Sequence, residues 1–127
     1  MRILLVRHCD AAPGSPDELR TLTPVGHESA RALGERLAQA APAAVLCSPL
    51  VRARQTAEAI AAACGLAAEA DDRLGPGTDA EAIRTVAAGK GEPVVVVGHQ
   101  PDCGEIVLAA TGRETAFPPG GVAEVDL

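Results

Sequence analysis

A run of four consecutive valines, residues 94–97, constrains the fold more than any other feature of this sequence. β-Branched side chains favour the extended backbone of a strand. A strand that lacks a polar residue at every second position is buried on both faces, as in a parallel sheet covered by helices. Two shorter apolar runs, residues 2–6 and 44–47, share this pattern. The sequence therefore predicts at least three strands of a mostly parallel central sheet.

Helix start signals lie between these strands. Thr23 followed by Pro24 is typical of an N-cap with proline at the first helical position, and Ser48 followed by Pro49 repeats the pattern. Residues 78–81 resemble a capping box. These signals predict helices that run from Pro24 to about residue 41, from Pro49 to about residue 64, from residue 79 to about 88 and from residue 101 to about 111, and a last edge strand at residues 121–127.

Alternating strands and helices predict a three-layer α/β/α sandwich around a mostly parallel sheet. The chain has 127 residues, which is the usual length of one domain, so we predict a single domain over residues 1–127. In such folds the ligand binds beyond the carboxyl ends of the strands.

The composition excludes several classes of function. Eleven Lys and Arg against seventeen Asp and Glu give a net charge of −6, so there is no general basic field for a nucleic acid or an anionic membrane. Aromatic residues make up 1% of the chain, too few for stacking platforms that bind single-stranded nucleic acid. No export signal or membrane-spanning run is present, and the four cysteines form no CxxC pair. We expect a cytoplasmic monomer with reduced thiols, no metal site and no cofactor.

Three predicted strands are followed by side chains that can bind a ligand or take part in catalysis. Arg7 and His8 follow the first strand, Arg52 lies shortly after the second, and His99 follows the valine strand. Arg side chains bind phosphoryl oxygens through two parallel hydrogen bonds, and helix N-termini add partial positive charge. Histidine serves as a nucleophile or as an acid–base group. The sequence therefore predicts a phosphoryl pocket at this edge of the sheet.

Other polar residues have simpler interpretations. We expect Ser48 to cap a helix, Arg54 to lie on a solvated helix face and His27 to lie at the surface. The acidic pairs 71–72 and 17–18 are typical of solvated loops.

Four segments resemble motifs of the histidine phosphatase superfamily, and most closely its short SixA-like phosphohistidine phosphatase branch. The resemblance runs through the whole chain in one order. The segments are Leu5-Val6-Arg7-His8, Leu22-Thr23-Pro24-x-Gly26, Ser48-Pro49-x-x-Arg52-Ala53-x-Gln55-Thr56-Ala57 and Val97-Gly98-His99-Gln100-Pro101.

This resemblance implies a phosphoglycerate mutase-like fold and roles for the residues at the strand ends. His8 would be the nucleophile that takes the phosphoryl group, while Arg7, Arg52 and His99 would hold the phosphoryl oxygens. The resemblance also implies substrate-side positions, which we expect at Arg20, Cys9 and Gln100.

The sequence departs from the family pattern at the residue after the nucleophilic histidine and in the segment that carries the proton donor. The family usually has glycine after the nucleophilic histidine, where this chain has Cys9; we expect the site to tolerate this thiol and to become sensitive to oxidation. The inserted segment that carries a proton-donating glutamate in larger members is absent, which leaves Asp72 and Asp17 as candidate donors. A neutral imidazole leaves more easily than an alkoxide. We therefore expect the substrate to be phosphohistidine in a protein.

Two alternatives remain open at this point, and the signature of a third does not match the sequence. A small-molecule phosphomonoesterase would use the same cluster. A phosphate-binding regulatory module would keep the pocket but have weakened catalysis. A cysteine-dependent phosphatase would need an arginine six residues after its cysteine, and Ser15 and Ala53 stand at those positions.

Overall fold

The five-stranded sheet has the strand order β3-β2-β4-β1-β5. The computed structural model describes all of residues 1–127. In chain order the elements are β1 (Arg2–Arg7), α1 (Pro24–Ala38), β2 (Ala44–Cys47), α2 (Val51–Cys64), β3 (Ala68–Ala70), α3 (Ala80–Ala87), β4 (Val94–Gly98), α4 (Asp102–Thr111) and β5 (Val122–Asp126). Two short 3₁₀ helices cover Asp17–Leu19 and Asp72–Leu74.

Strands β1 to β4 are mutually parallel where they pair, and β5 is antiparallel to β1 at one edge. The valine strand β4 lies at the centre of the sheet, between β2 and β1. This arrangement confirms the predicted mostly parallel sheet and the edge position of the last strand. No helix is both long enough and apolar enough to span a bilayer.

Each face of the sheet is covered by two helices, which makes the three-layer sandwich predicted from the sequence. Successive strand residues point to opposite faces. Leu4 and Val6 pack with apolar residues of α1 and α2, such as Leu33 and Ile60, in one buried cluster. The second cluster joins Ile3, Leu5, Val94 and Val96 to α3 and α4 through Ile83, Val86, Ile106 and Val107.

Two glycines hold the layers at distances that a larger residue would not allow. A Cβ added to Gly34 of α1 would lie 2.9 Å from the carbonyl oxygen of Ala59 in α2. A Cβ added to Gly26 would lie 2.0 Å from the carbonyl oxygen of Asp10. The absence of a side chain at Gly26 therefore lets the loop after β1 pack directly against the start of α1. Thr23 adds to this junction, because its hydroxyl accepts a hydrogen bond from the Gly26 N–H at 2.9 Å.

Local sequence signals placed some boundaries wrongly. The capping residue of α3 is Asp79, whose carboxylate accepts from the Ala82 N–H, and not Thr78. Helix α2 begins at Val51 with no side-chain cap, two residues after the predicted start at Pro49. Helix α1 ends at Ala38 rather than near residue 41. Strand β3 was not predicted, because it has three residues, two of them exposed, and lacks an apolar pattern.

Candidate active site

The two strand-end histidines lie side by side because β1 and β4 are neighbouring parallel strands. Arg7 is in register with Gly98, so His8 and His99 leave the sheet at the same height. Their ring centroids are 5.3 Å apart, and both side chains are buried. The backbone N–H of His8 also donates to the Gly98 carbonyl at 3.0 Å, and this hydrogen bond holds the two strand ends together. The sheet register therefore builds the histidine pair directly.

Arg52 reaches this edge from the first turn of α2, and the loop after β1 holds it in place. Its Nη1 donates to the Asp17 carbonyl at 2.8 Å, and its Nη2 donates to the Asp17 carboxylate at 3.1 Å. Arg20 binds the other carboxylate oxygen of Asp17 at 3.0 Å. Asp17 thus orients both guanidinium groups, and the Arg52 side chain is buried.

Arg7 is held by the segment that precedes β5. Its Nη1 donates to the Phe117 carbonyl at 2.9 Å, and the Gly120 N–H donates back to the Arg7 carbonyl at 3.1 Å. The segment before β5 therefore forms one wall of the site. This segment has no sequence signal that predicts such a contact.

Three buried side-chain nitrogen atoms have no hydrogen-bond partner in the protein, and all three belong to this cluster. They are Arg7 Nε, Arg52 Nε and His99 Nδ1. A buried donor without a partner costs free energy, so native proteins rarely keep one outside a functional site. Their concentration at one point fits an anion with several acceptor oxygens, such as a phosphoryl group.

Burial keeps the histidine pair neutral. Burial is the largest cause that lowers the pKa of His8, and the nearby charges of Arg52 and Arg7 add to the effect. The pKa of His99 falls to about 4, again mainly through burial and then through His8 and Arg52. The His8 Nδ1 lies 2.8 Å from the Cys9 carbonyl, which only accepts, so Nδ1 carries the proton. The lone pair of His8 is therefore on Nε2, as a nucleophile requires.

Of two expected substrate-side residues, Cys9 is buried away from any substrate, whereas Gln100 is exposed. The Cys9 side chain is fully buried in the core beneath the sheet edge, and its N–H donates to the Thr56 hydroxyl at 3.1 Å. Burial raises the pKa of the Cys9 thiol, which argues against the expected sensitivity to oxidation. Gln100 is exposed, and its side-chain oxygen accepts from the Gly104 N–H at 2.8 Å, so it stabilises the start of α4.

The two candidate proton donors differ in their place in the structure. Asp17 lies at the cluster, but hydrogen bonds from Arg20 and Arg52 lower the pKa of its carboxyl group. A carboxylate held in its ionised form has no proton to donate, which argues against Asp17 as the donor. Asp72 is exposed on the second 3₁₀ helix, and its side chain makes no hydrogen bond. Neither residue therefore provides a proton donor next to the two histidines, Arg7 and Arg52.

The remaining sequence-based interpretations have mixed outcomes. His27 and Arg54 are exposed, as expected. Ser48 does not cap a helix: it is fully buried, and its hydroxyl lies 2.8 Å from His99 Nε2. Sequence reasoning missed this contact because Ser followed by Pro is also a common helix start. No three His, Cys, Asp or Glu side chains lie close enough together to hold a metal ion.

Comparisons with known proteins agree with this geometry. Residues 3–75 match the model of the histidine phosphatase superfamily, branch 1. A structure of the protein histidine phosphatase SixA with tungstate superposes with a TM-score of 0.86 and 28% identity, over 100% of this chain and 88% of that one. SixA from Agrobacterium tumefaciens gives a TM-score of 0.81 and 28% identity, over 98% and 90%.

A sequence relative extends the match beyond solved structures. An uncharacterised protein of a Picosynechococcus strain is 33% identical over 136 residues, which cover 96% of this chain and 82% of the relative. Both the family model and this relative span more than half of the chain. Together with the buried histidine and arginine cluster, they place the chain in branch 1 of the histidine phosphatase superfamily, where it is SixA-like.

Proposed function

We propose that this phosphatase hydrolyses phosphohistidine in a protein, and that it does so through a covalent phosphoryl intermediate on His8. The observation that carries the proposal is the cluster of neutral His8, neutral His99, Arg7 and Arg52, with three buried nitrogen atoms that lack a partner in the protein. The structural likeness to the protein histidine phosphatase SixA supports the choice of substrate.

The first step transfers the phosphoryl group to the enzyme. His8 Nε2 forms a bond to phosphorus while the bond from phosphorus to the leaving nitrogen of the substrate breaks. Positive charge develops on the His8 ring, and the Nδ1–H donor keeps its hydrogen bond to the Cys9 carbonyl at 2.8 Å. Arg7, Arg52 and His99 donate to the phosphoryl oxygens, where such positioned donors have their largest effect.

The second step regenerates the enzyme. Water attacks the phosphorus of phosphorylated His8, the P–N bond breaks, and the bonding electron pair returns to Nε2. The proton lost by the water goes to solvent or to the departing phosphate. The two guanidinium groups supply the positive charge that many phosphatases obtain from metal ions, so we propose a metal-independent reaction.

The leaving group separates the candidate substrates. An alkoxide needs a proton as it leaves, and Asp17 at the cluster is held ionised by Arg20 and Arg52. An imidazole that carries a proton on its other nitrogen leaves as a neutral molecule and needs no acid from the enzyme. The ionised state of Asp17 therefore favours phosphohistidine over phosphomonoesters.

A groove beside the cluster offers room for the flank of a protein substrate. It has a volume of about 570 Å³ and runs between the start of α4 and the segment 114–116. One wall begins at Gln100, next to His99, and the other ends beside Phe117, whose carbonyl binds Arg7. Leu108, with 43% of its surface exposed, lies in this groove. We propose that this exposed apolar side chain contacts the flank of a protein substrate bound in the groove.

A side-by-side assay tests the proposal. The full chain is incubated with a phosphohistidine protein, with free phosphohistidine and with a panel of phosphomonoesters, and His8→Ala serves as the blank. We expect release of phosphate to be fastest from the phosphohistidine protein and absent with His8→Ala. Faster hydrolysis of a phosphomonoester would favour the small-molecule alternative. Binding of phosphate without turnover of any substrate would favour the regulatory module.

A further inference from the structure

Ser48 is a fully buried residue whose hydroxyl contacts the imidazole ring of His99, and it has no role in the reaction described above. Its hydroxyl oxygen lies 2.8 Å from His99 Nε2 and accepts a hydrogen bond from the Leu50 N–H at 3.2 Å. It has no exposed surface, so water cannot supply a further partner. These are the only two hydrogen bonds of the Ser48 side chain.

These two contacts determine whether the Ser48 hydroxyl or His99 Nε2 is the donor in the hydrogen bond between them. The Leu50 N–H always donates, so the Ser48 oxygen is an acceptor in that bond. The hydroxyl hydrogen then has a single acceptor within reach, His99 Nε2. If Nε2 carried a proton instead, the hydroxyl hydrogen would be buried with no acceptor, which costs about 1–3 kcal/mol.

We propose that Ser48 is a positioning residue that fixes His99 in the tautomer protonated on Nδ1. The role in turnover rests on the proposed function, whereas the tautomer itself does not. In this tautomer the buried Nδ1, which has no partner in the protein, is a donor. A lone pair at the same position would repel a phosphoryl oxygen.

With His99 in this tautomer, the two histidines of the pair have complementary roles. His8 donates from Nδ1 to the Cys9 carbonyl, so its Nε2 carries the lone pair that attacks phosphorus. His99 accepts at Nε2 from Ser48, so its Nδ1 offers a hydrogen to the phosphoryl group. Both rings are neutral, and their backbone and hydroxyl partners decide which one is nucleophile and which one is donor.

The test reads the tautomer directly in the free protein. The chain has three histidines, so long-range ¹H–¹⁵N correlation spectra of the ¹⁵N-labelled full chain at neutral pH are simple to assign. We expect His99 to show a protonated Nδ1 and an unprotonated Nε2, while the exposed His27 shows averaged tautomers. In Ser48→Ala the two His99 nitrogen signals should move towards each other as the second tautomer gains population.

Activity and matched variants complete the test. Ser48→Ala should lower kcat about tenfold, the effect expected from one lost hydrogen bond, with a smaller change in KM. Ser48→Thr keeps a hydroxyl and should restore both the signals and kcat. Thr56→Val removes another buried hydroxyl, one that contacts Arg52 and Cys9 backbone atoms, and should leave the His99 signals unchanged.

Two results would overturn the proposal. One is a wild-type His99 protonated on Nε2, which needs no variant to fold. The other is a Ser48→Ala protein that keeps the pure Nδ1-protonated signature. If the wild-type signature is as expected but no phosphorylated substrate is hydrolysed, the proposed function fails while the tautomer assignment stands.

Discussion

The buried neutral state of His99 makes the stability of the fold depend on pH. In the unfolded chain this histidine has its ordinary pKa of 6.5, and in the folded protein its pKa is about 4. Between these values the unfolded chain binds more protons, so acid favours unfolding. The stability is therefore complete above pH 6.5 and declines as the pH falls towards 4. One pKa unit corresponds to about 1.4 kcal/mol, so the loss from His99 by pH 4 is about 3 kcal/mol.

Replacement of His99 by glutamine removes this titration and keeps a polar side chain. The assay is urea denaturation at several pH values from 7.5 to 4, with His27→Gln, on the exposed face of α1, as the matched control. Between pH 7 and pH 4, the wild type and the control should lose about 3 kcal/mol more unfolding free energy than His99→Gln. Carboxylates such as Asp17 and Asp71 titrate in all three proteins, so their contributions cancel. Parallel plots of unfolding free energy against pH for wild type and His99→Gln would show that His99 does not have a lowered pKa in the folded protein.

Three further predictions concern single side chains. Arg52→Ala should lower kcat/KM by roughly 100-fold to 1,000-fold, because it removes a positioned donor to the phosphoryl group. Arg54→Ala, on the exposed face of the same helix, should have no such effect in the same steady-state assay. Leu108→Glu should lower kcat/KM about fivefold for a phosphohistidine protein but not for free phosphohistidine, since burial of half a leucine contributes about 1 kcal/mol. An equal loss for both substrates would exclude docking in this groove. Cys9→Gly should lower the unfolding free energy by about 2 kcal/mol in urea titrations, because it empties a fully buried site and adds backbone freedom. Rapid labelling of Cys9 by iodoacetamide in the folded wild type would contradict its burial.

The sequence predicted the sheet well because a few strong patterns fix it. The valine run is apolar at every position, which leaves only a strand buried on both faces at the centre of the sheet. Once β1 and β4 pair in parallel, the histidines that follow them must meet. Strand β3 has no comparable signal, since its three residues at the sheet edge form through pairing with β2 rather than through their own preference.

The hydrogen bonds that hold the candidate site together could not be predicted from the sequence. Asp17 holds Arg52 across 35 positions of the chain, and Phe117 holds Arg7 across 110. Such contacts depend on how loops fold over the sheet edge, and the Phe117 contact uses a backbone carbonyl that any residue would offer. The short-range signal at Ser48 pointed to a helix cap, whereas its long-range contact with His99 prevails in the structure.

Rapid-quench trapping shows whether His8 carries the phosphoryl group during turnover. The full chain is mixed with a radiolabelled phosphohistidine protein, stopped in alkali on the millisecond timescale and mapped by peptide mass analysis, with Arg54→Ala as a competent control and His8→Ala as the blank. We predict transient, acid-labile and alkali-stable label on the peptide that contains His8, formed before free phosphate appears. Phosphate release by His8→Ala at the wild-type rate, or label on any other residue, would show that His8 is not the nucleophile.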